Sequence, residues 1–389
     1  MLTYLVIWLV VQAISVVIVW SFARGLGRPE RLDRHPRVAV VVAVKGYEHE
    51  FDGFLASLFA QNYPDWRVIF TVESVDDAAV PAIEAYRSKF AGKATLIVAG
   101  LGRDEGQKTT NLRAAADRLT AADEILVLAD ADIWPDPDWL ARLVGPLARG
   151  EADIVSGFSW LVVKDRRLSS FVLGSMAASV ATLPRYSFFN ACWGGTTALR
   201  REQFSALGLP DAWRGTLSDD LQLTNLAQAA RLKIAAPPEI LLRTPLLTSG
   251  FADVAQGARR WYMLVRVHMP AAYALTVAAM SFVAAGWVFA LVGTIVDNVD
   301  AQNILVAALA LAVFRSAGRA VLVARLWGRS GIAENRAFLL ADPLVTPLAA
   351  AFNAGCGWSA LLLRHTTWAG VTYEMLGRQK VRILARKAG

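Results

Sequence analysis

The sequence predicts a doubly wound α/β domain, built on a Rossmann-like mixed sheet, with N-terminal and C-terminal transmembrane helices on either side of it. Two observations support this prediction: long apolar runs near both ends of the chain, and an alternation of strand-like and helix-like patterns between them. The 389 residues are 55% hydrophobic, which is too apolar for an ordinary soluble enzyme. Most of the charge lies in the middle of the chain, so a bundle made only of membrane spans is excluded.

The membrane segments are predicted from length and lack of charge. Leu2 to Phe22 has no charged residue and can cross a bilayer core, which takes roughly 20 apolar residues. Met269 to Ile295 is a second such run. Ile304 to Ala324 and Phe338 to Leu363 are weaker candidates, because the first contains two arginines and the second contains prolines, glycines and an aspartate. We expect Phe338 to Leu363 to form a helical hairpin or a re-entrant element.

The distribution of basic residues predicts the orientation. Five arginines follow the first apolar run, which lacks a preceding basic region: Arg24, Arg28, Arg31, Arg34 and Arg37. This pattern favours an uncleaved anchor over a signal peptide, with the globular domain on the cytoplasmic face. The basic C-terminal tail is also expected in the cytoplasm, although three full spans after the domain would leave it outside.

The expected division has four parts: an N-terminal anchor, a cytosolic domain with interface helices, C-terminal transmembrane segments and a basic tail. Their ranges are 1–23, 24–268, 269–365 and 366–389. The net charge of +7 fits membrane topology and attraction to anionic lipid. No aromatic and basic recognition module is evident, so we expect no nucleic acid partner. Two cysteines give no disulfide framework and no zinc spacing.

The order of elements after the anchor indicates a parallel sheet. Val38 to Val44 is a continuous valine-rich run, typical of a strand buried on both faces. The helices and strands predicted after it alternate: Phe51 to Phe59, Arg67 to Val72, Val80 to Phe90 and Ala94 to Val98. In such sheets, ligands bind beyond the carboxyl ends of the strands. Ser169 to Leu183 is a further apolar stretch, expected to be a core helix or a helix in the membrane interface.

Acidic residues follow the predicted fourth strand, in the segment EILVLADADIWPDPDW. Strand alternation places Asp130 and Asp132 on one face, where both carboxylates can converge on a divalent cation such as Mn²⁺ or Mg²⁺ and, through it, on phosphate. The alternative is an Asp-rich turn that only ends the strand. Lys45-Gly46 and the segment from Glu73 to Asp77 close the first and second strands, so the sequence predicts one polar edge.

The ordered set of motifs resembles a known signature. Its members are Lys45-Gly46, Glu73 to Asp77, Gln107-Lys108 with Asn111, Asp130 with Asp132, Trp193-Gly194-Gly195, Ser218-Asp219-Asp220 and Arg260-Trp261. The set resembles the D1, D2, D3 and (Q/R)xxRW motifs of family 2-like GT-A glycosyltransferases. More narrowly, the chain is similar to the ceramide glucosyltransferase family, family 21, and to its bacterial relatives, including hopanoid-associated glycosyltransferases.

The resemblance implies a GT-A fold and a UDP-sugar donor. A metal on Asp132 would stabilise charge on the leaving phosphates, and Asp130 would bond the ribose or share the metal. Glu73, with Asp77 as a further candidate beside it, would accept from the uracil N–H or the ribose, although Ser74 stands where ceramide enzymes place an Asp.

Three further residues are assigned to the donor site. Lys45 is one of them and lies at the end of the first strand. Lys108 offers a point charge to the diphosphate, and Asn111 can brace the same loop. The alternative for Lys108 is an exposed helix lysine.

The remaining motifs imply the chemistry and the acceptor site. Asp220 is the expected general base, with Asp219 as its alternative; both also fit the first turn of a helix capped by Ser218. Trp193, Gly194 and Gly195 would contact sugar or acceptor, or would form a tight turn.

The last motif departs from the family pattern. Arg260 would hold the leaving diphosphate, and Trp261 would line the acceptor entrance. Gly257 stands where that motif has Gln or Arg, with Gln256 one place away.

Together these features predict a membrane-bound, metal-dependent, inverting glycosyltransferase that moves a sugar from a UDP-sugar to a lipid hydroxyl, with ceramide favoured. The alternatives are a hopanoid-lipid N-acetylglucosaminyltransferase, a processive polysaccharide synthase, and a transporter or scaffold without chemistry. Arg315 and Arg319, one turn apart within an apolar segment, are the best support for the last class.

Overall fold

The computed structural model describes residues 1–27, 32–48, 50–187 and 190–387. Arg28 and Arg31, from the predicted basic run, lie outside the described residues. The helices are α1 Leu2–Arg24, α2 Phe51–Phe59, α3 Val80–Lys89, α4 Gln107–Ala116, α5 Trp139–Ala148, α6 Leu168–Ala181, α7 Arg201–Ala206, α8 Leu209–Ala212, α9 Asp219–Ala229, α10 Phe251–His268, α11 Pro270–Ile295 and α12 Val299–Ala360. The strands are β1 Val38–Ala43, β2 Trp66–Val72, β3 Ala94–Val98, β4 Ile125–Ala129, β5 Ile154–Ser156, β6 Phe158–Val163, β7 Thr196–Arg200, β8 Ile234–Ala235, β9 Leu241–Leu246, β10 His365–Trp368, β11 Val371–Gly377 and β12 Lys380–Arg386.

The chain forms two compact units, each built from three stretches of sequence. The helical unit contains Met1–Gly27, Trp160–Pro184 and Pro245–Leu363. The sheet unit contains Arg28–Ser159, Arg185–Thr244 and Arg364–Gly389. The four-part division predicted from the sequence refers to a membrane and stays a prediction.

A seven-stranded sheet forms the centre of the sheet unit, in the order β3-β2-β1-β4-β7-β5-β8. Strands β1 to β4 are mutually parallel, with α2, α3 and α4 connecting them, which confirms the predicted doubly wound pattern. Valine side chains of β1 are buried on both faces of the sheet, as the continuous apolar run predicted.

Strand β7 makes the sheet mixed, because it pairs antiparallel to β4, with Ala129 opposite Thr196. An antiparallel neighbour presents its amino end where the parallel strands present their carboxyl ends. The loop before β7 is therefore brought to the same edge as the loop after β4.

The C-terminal tail forms a three-stranded antiparallel sheet, β10-β11-β12, which the sequence interpretation did not predict. Val371, Tyr373, Met375 and Val381 alternate along β11 and β12 and are buried. These strands belong to the sheet unit, so the basic tail is a structured part of the domain that carries the predicted site.

Three helices within the described residues are long and apolar enough to cross a membrane: α1, α11 and α12. Helix α12 is broken at Gly328, whose φ of 64° lies in the left-handed region that favours glycine. The stretches before and after Gly328 fold back on each other, since the Ser316 hydroxyl donates to the Leu339 carbonyl at 2.6 Å.

The hairpin expected within Phe338 to Leu363 is wrong, because residues 329–360 are one continuous helical stretch and the turn lies at Gly328. Pro343 removes the N–H that would bond the Leu339 carbonyl, and the Ser316 hydroxyl supplies a replacement donor. The re-entrant alternative concerns a membrane and stays a prediction.

A buried ion pair holds the two stretches of α12 together. Arg319 and Asp342 are fully buried, and both carboxylate oxygens accept from one guanidinium nitrogen at 2.6 Å. Ser175 and Ser179 of α6 join this network, donating to Asp342 and accepting from Arg319. Arg315 donates to the Thr346 hydroxyl. The arginines therefore have structural partners, and α6 packs as a core helix of this unit.

We expect Asp342→Ala to destabilise the protein by about 3–5 kcal/mol, because it leaves the Arg319 charge buried without a partner. Thermal unfolding in detergent measures the loss, with Asp300→Ala, an exposed carboxylate in the first turn of the same helix, as the control. The double variant Arg319→Met, Asp342→Leu should recover most of the stability. A single variant as stable as the control would contradict a structural role for the pair.

Candidate active site

Four loops meet at one edge of the sheet. Lys45 follows β1, Glu73 follows β2 and Asp130 follows β4, all at carboxyl ends, while Gly195 precedes the antiparallel β7. The Asp130 N–H donates to the Gly195 carbonyl at 3.3 Å, which joins the loops around β4 and β7. The polar edge predicted from the sequence is therefore present.

Lys108, in the first turn of α4, lies at the centre of this edge. Its ammonium nitrogen is 2.6 Å from an Asp130 oxygen and 3.2 Å from an Asp219 oxygen, and it donates to the Gly194 carbonyl at 3.4 Å. Burial opposes the charged form, but Asp130, Asp219 and Asp220 outweigh it and raise the pKa of Lys108 above its ordinary value. Lys108 is thus a largely buried cation, with 13% of its side chain exposed, and the exposed-lysine alternative is wrong.

At each of the two positions before β7, a different neighbouring group leaves room only for glycine. A Cβ on Gly194 would lie 2.6 Å from the Lys108 nitrogen, and one on Gly195 would lie 2.2 Å from the Trp193 ring. The space that a side chain would need at these two positions is therefore already filled by Lys108 and Trp193. The assignment of Trp193, Gly194 and Gly195 to the acceptor stays a prediction.

The carboxylates of Asp219 and Asp220 have different surroundings. Ser218 caps α9 by accepting from the Leu221 N–H, as predicted. Asp219 is buried and paired with Lys108; burial, with the charges of Asp220 and Asp130, raises its pKa. Its second carboxylate oxygen has no hydrogen-bond partner among the described residues.

Asp220 is partly exposed, and the Gly194 N–H donates to one of its oxygens at 3.1 Å. The Leu221 N–H, at 2.7 Å, and the Ser218 hydroxyl donate to the other oxygen. Of the two carboxylates, Asp220 is the one that solvent and a substrate hydroxyl can reach.

Asp132 lies in a region that Lys108 only partly neutralises. Its side chain is reached by solvent, yet desolvation and the charges of Asp130 and Glu48 raise the pKa of Asp132 to about 7, with Lys108 partly opposing them. No group of three or more acidic, histidine or cysteine ligands occurs among the described residues. Two carboxylates that repel each other fit a hard cation whose other ligands are water and substrate phosphate.

Glu73 and Asp77 are held by neighbouring groups. Lys45 and Arg386 each donate to one Glu73 oxygen, Arg386 at 3.3 Å. Both Asp77 oxygens accept from the Gly46 N–H, at 3.1 and 3.0 Å, and thus fix a residue with φ of 75°. Asp77 therefore braces the loop after β1. Contacts of Lys45, Glu73 and Asp77 with a nucleotide stay predictions.

Asn111 braces the strand ends, as the sequence interpretation allowed. Its buried amide donates to the carbonyls of Val44 and Thr71, at 3.3 and 3.1 Å, and its oxygen accepts from the Gln107 amide at 2.9 Å. It ties α4 to the ends of β1 and β2. A direct contact between Asn111 and a nucleotide stays a prediction.

Two residues of this edge were missed, and one motif lies elsewhere. Tyr373 and Arg386 come from the C-terminal sheet; alternation of apolar residues from Val371 to Ile383 was the available signal. Arg260 and Trp261 lie in α10 of the helical unit, so their assignments stay predictions.

The raised pKa of Asp132 predicts a pH-dependent stability. Folded protein keeps a proton up to about pH 7 that the unfolded chain releases near pH 3.8, so stability is lost as the pH rises between these values. In EDTA, the melting temperature of Asp132→Asn relative to wild type should be higher at pH 8 than at pH 5 by on the order of 2 °C. The exposed Asp211→Asn is the control. An Asp132→Asn effect that is equal at both pH values would contradict the shift.

Comparison with known proteins places this geometry in a family. A model described as glycosyl transferase family 21 matches residues 3–381. No curated protein sequence matches the chain.

Among solved structures, the chain is similar to the mannosyltransferase PcManGT from Pyrobaculum calidifontis, in complex with GDP-Man and Mn²⁺. The identity is 17% and the TM-score 0.50, over 93% of this chain and 99% of that chain. It is also similar to S. aureus TarS 1-349 in complex with UDP-GlcNAc, at 12% identity and a TM-score of 0.40, over 90% and 100% of the two chains. The likeness to PcManGT agrees with the predicted GT-A fold. Because the family model covers nearly the whole chain, this protein belongs to glycosyl transferase family 21, the ceramide glucosyltransferase family.

Proposed function

We propose that the protein is a membrane-bound inverting glycosyltransferase that moves a sugar from a UDP-sugar to the hydroxyl of a lipid, most favourably ceramide. The observation that supports this most strongly is the convergence of Lys108, Asp130, Asp219, Asp220 and Gly194 at one sheet edge. This set offers a fixed cation, an acidic region for a metal, and an accessible carboxylate.

The donor half of the reaction needs stabilisation of charge on the leaving diphosphate. In the free protein, the Lys108 ammonium is neutralised by Asp130 and Asp219. Lys108 already has three acceptors for its three N–H groups, so a diphosphate oxygen would replace one of them at a cation that is already positioned when the donor binds. The family resemblance favours uridine as the nucleoside, whereas PcManGT was solved with GDP-Man, so both donor types belong in the test.

Asp132 and Asp130 would hold a divalent ion, Mn²⁺ or Mg²⁺, together with donor phosphate oxygens. When bound, the ion supplies Lewis-acid stabilisation of the leaving diphosphate. The fit rests on the oxygen ligands and on the raised pKa of Asp132, which desolvation and then repulsion by Asp130 and Glu48 cause. The Mn²⁺ in the PcManGT structure supports the same ion class for this chain.

Asp220 would act as the general base. It removes the proton from the acceptor hydroxyl as that oxygen bonds to the anomeric carbon, and the bond from this carbon to the phosphate oxygen breaks on the opposite side. The released nucleoside diphosphate carries the bonding electrons, and the configuration inverts. The Gly194 and Leu221 N–H groups orient the Asp220 carboxylate. Asp219 is less suited, because it is buried and paired with Lys108.

A lipid acceptor is supported by the helical unit, since α1, α11 and α12 are each long and apolar enough for a bilayer. An amphiphile can keep its tails in lipid while its head group reaches the sheet edge. Arg260 and Trp261 would complete the diphosphate and acceptor contacts, as the family motif implies.

The course of the chain supports a membrane topology. Residues 364–387 belong to the same compact unit as the predicted site, so a sheet unit on one side of a membrane requires that the segment 245–363 cross it an even number of times. Residues 329–360 end near the first half of α11, where Tyr273 donates to the Gly357 carbonyl at 2.8 Å. Two crossings, by α11 and by 299–327, would meet this requirement and would leave the whole sheet unit, with its C-terminal strands, on the proposed cytoplasmic face.

The rivals differ in what they require. A processive polysaccharide synthase needs a channel built from many spans, whereas three candidate helices are found among the described residues. For a transporter or scaffold, the strongest feature was the arginine pair, and Arg319 and Arg315 have structural partners in Asp342 and Thr346.

The direct test uses purified full-length protein with Mn²⁺ or Mg²⁺, labelled UDP-glucose, UDP-galactose, UDP-GlcNAc and GDP-mannose, and ceramide, diacylglycerol or hopanoid acceptors. Label should move from a UDP-sugar into the organic phase. A water-soluble labelled polymer would indicate a synthase instead, and no transfer from any donor would contradict the proposal.

Asp220→Asn should lower kcat by about 10²–10⁴-fold, because the acceptor proton loses its base. Affinity for UDP should stay within about threefold, since the amide keeps the size of the side chain. The matched control is Asp211→Asn, an exposed carboxylate of the same unit. Turnover by Asp220→Asn within tenfold of wild type would remove Asp220 from this role.

A further inference from the structure

The C-terminal sheet contacts three segments of the predicted donor site, and Arg386 makes the most extensive contact. Its guanidinium donates to the Gly102 carbonyl at 2.8 Å, to the Gln107 side-chain oxygen at 3.0 Å and to Glu73 at 3.3 Å. One side chain thus joins the loop after β3, the start of α4 and the residue after β2. A planar guanidinium with five N–H groups can bridge three acceptors in fixed directions.

Tyr373 of β11 makes the second contact, at the start of α4. Gly106 precedes this helix and has no side chain to cap it, so the first N–H groups need outside acceptors. The Gln107 N–H donates to the Tyr373 hydroxyl at 3.1 Å, and Tyr373 is buried. The C-terminal sheet therefore caps the helix turn that carries Lys108.

The turn between β11 and β12 makes the third contact, on the segment that leads to Asp219 and Asp220. The Gln379 amide donates to the Ala212 carbonyl at 2.8 Å. Gly215, with φ of 69°, leaves no room for a side chain, because a Cβ there would lie 2.4 Å from the Gln379 carbonyl oxygen. The Gly215 N–H also donates to Glu105, in the loop after β3, at 3.2 Å.

We propose that Arg386 is a positioning residue for the nucleotide part of the donor site. The inference rests on the proposed function, since it takes Glu73 as a contact of the nucleoside. Lys45 and Arg386 hold the two oxygens of the Glu73 carboxylate from different elements, so its orientation is fixed before a nucleotide arrives. Arg386 also aligns Gln107, the residue before Lys108.

A purely structural role for Arg386 predicts a different phenotype for Arg386→Ala. If the guanidinium only fastened the last strand to the domain, Arg386→Ala would lower the melting temperature, and the apparent kcat would fall with the folded fraction while both KM values stayed the same. If Arg386 positions Glu73, Arg386→Ala weakens the binding of the donor. The KM for the acceptor then stays close to that of wild type.

The experiment measures UDP binding, in Mn²⁺, by full-length protein in detergent, together with KM for the donor and for the acceptor. Arg386→Ala should weaken UDP binding and raise the donor KM by about tenfold or more, while the acceptor KM changes less than twofold. Arg386→Lys should recover part of the loss, because one ammonium cannot reach three acceptors. The control is Arg382→Ala, an exposed arginine of the same strand that pairs with Glu374.

A double-mutant cycle with Glu73→Gln tests the route of the effect. If Arg386 acts through Glu73, Arg386→Ala should weaken UDP binding less in the Glu73→Gln background than in wild type. Equal UDP affinity in Arg386→Ala and wild type would overturn the inference, as would equal losses in both backgrounds. Failure of the wild-type protein to bind UDP would instead contradict the proposed donor.

Discussion

The arrangement at the sheet edge depends on one buried cation. Lys108 is charged and only 13% of its side chain is exposed, so it needs acceptors that three separate parts of the chain supply together. Asp130 comes from the end of β4, the Gly194 carbonyl from the loop before β7, and Asp219 from the start of α9. Antiparallel pairing of β7 with β4 makes this convergence possible, because it turns the amino end of β7 towards the carboxyl ends of its neighbours. Gly194 is required there, since a side chain would occupy the position of the ammonium.

The same constraint separates the two carboxylates of the Ser218-Asp219-Asp220 motif. Asp219 is buried and paired with Lys108, whereas Asp220 is partly exposed and oriented by the Gly194 and Leu221 N–H groups. In the proposed reaction, Gly194 thus contacts both the cation and the base, because its carbonyl accepts from Lys108 and its N–H donates to Asp220. A shift of this loop would therefore disturb charge stabilisation and proton removal together.

Sequence patterns predicted the parts of this structure that depend on local periodicity. The valine run of β1 and the order of β2, β3 and α2 to α4 follow from alternation and burial, and Asp130 was found because it ends an apolar strand. Three features could not be predicted, because they depend on contacts between distant residues. The turn of α12 lies at Gly328, and across it Ser316 donates to the carbonyl that Pro343 leaves without its helical partner. Apolar alternation indicates strands in the tail, but it does not reveal that Tyr373 and Arg386 bond the α4 region. Gly194 and Gly195 accommodate Lys108 and Trp193, which no motif spacing reveals.

The central claim is that the Lys108 ammonium binds the diphosphate of the donor and does not contact the nucleoside. Calorimetric titration of Lys108→Met with UDP and with uridine, both in Mn²⁺, tests this claim most directly. UDP should bind at least about tenfold more weakly than to wild type, consistent with the loss of a charge-assisted hydrogen bond, while the affinity for uridine should not change. Equal losses for UDP and uridine, or no loss for UDP, would contradict the account.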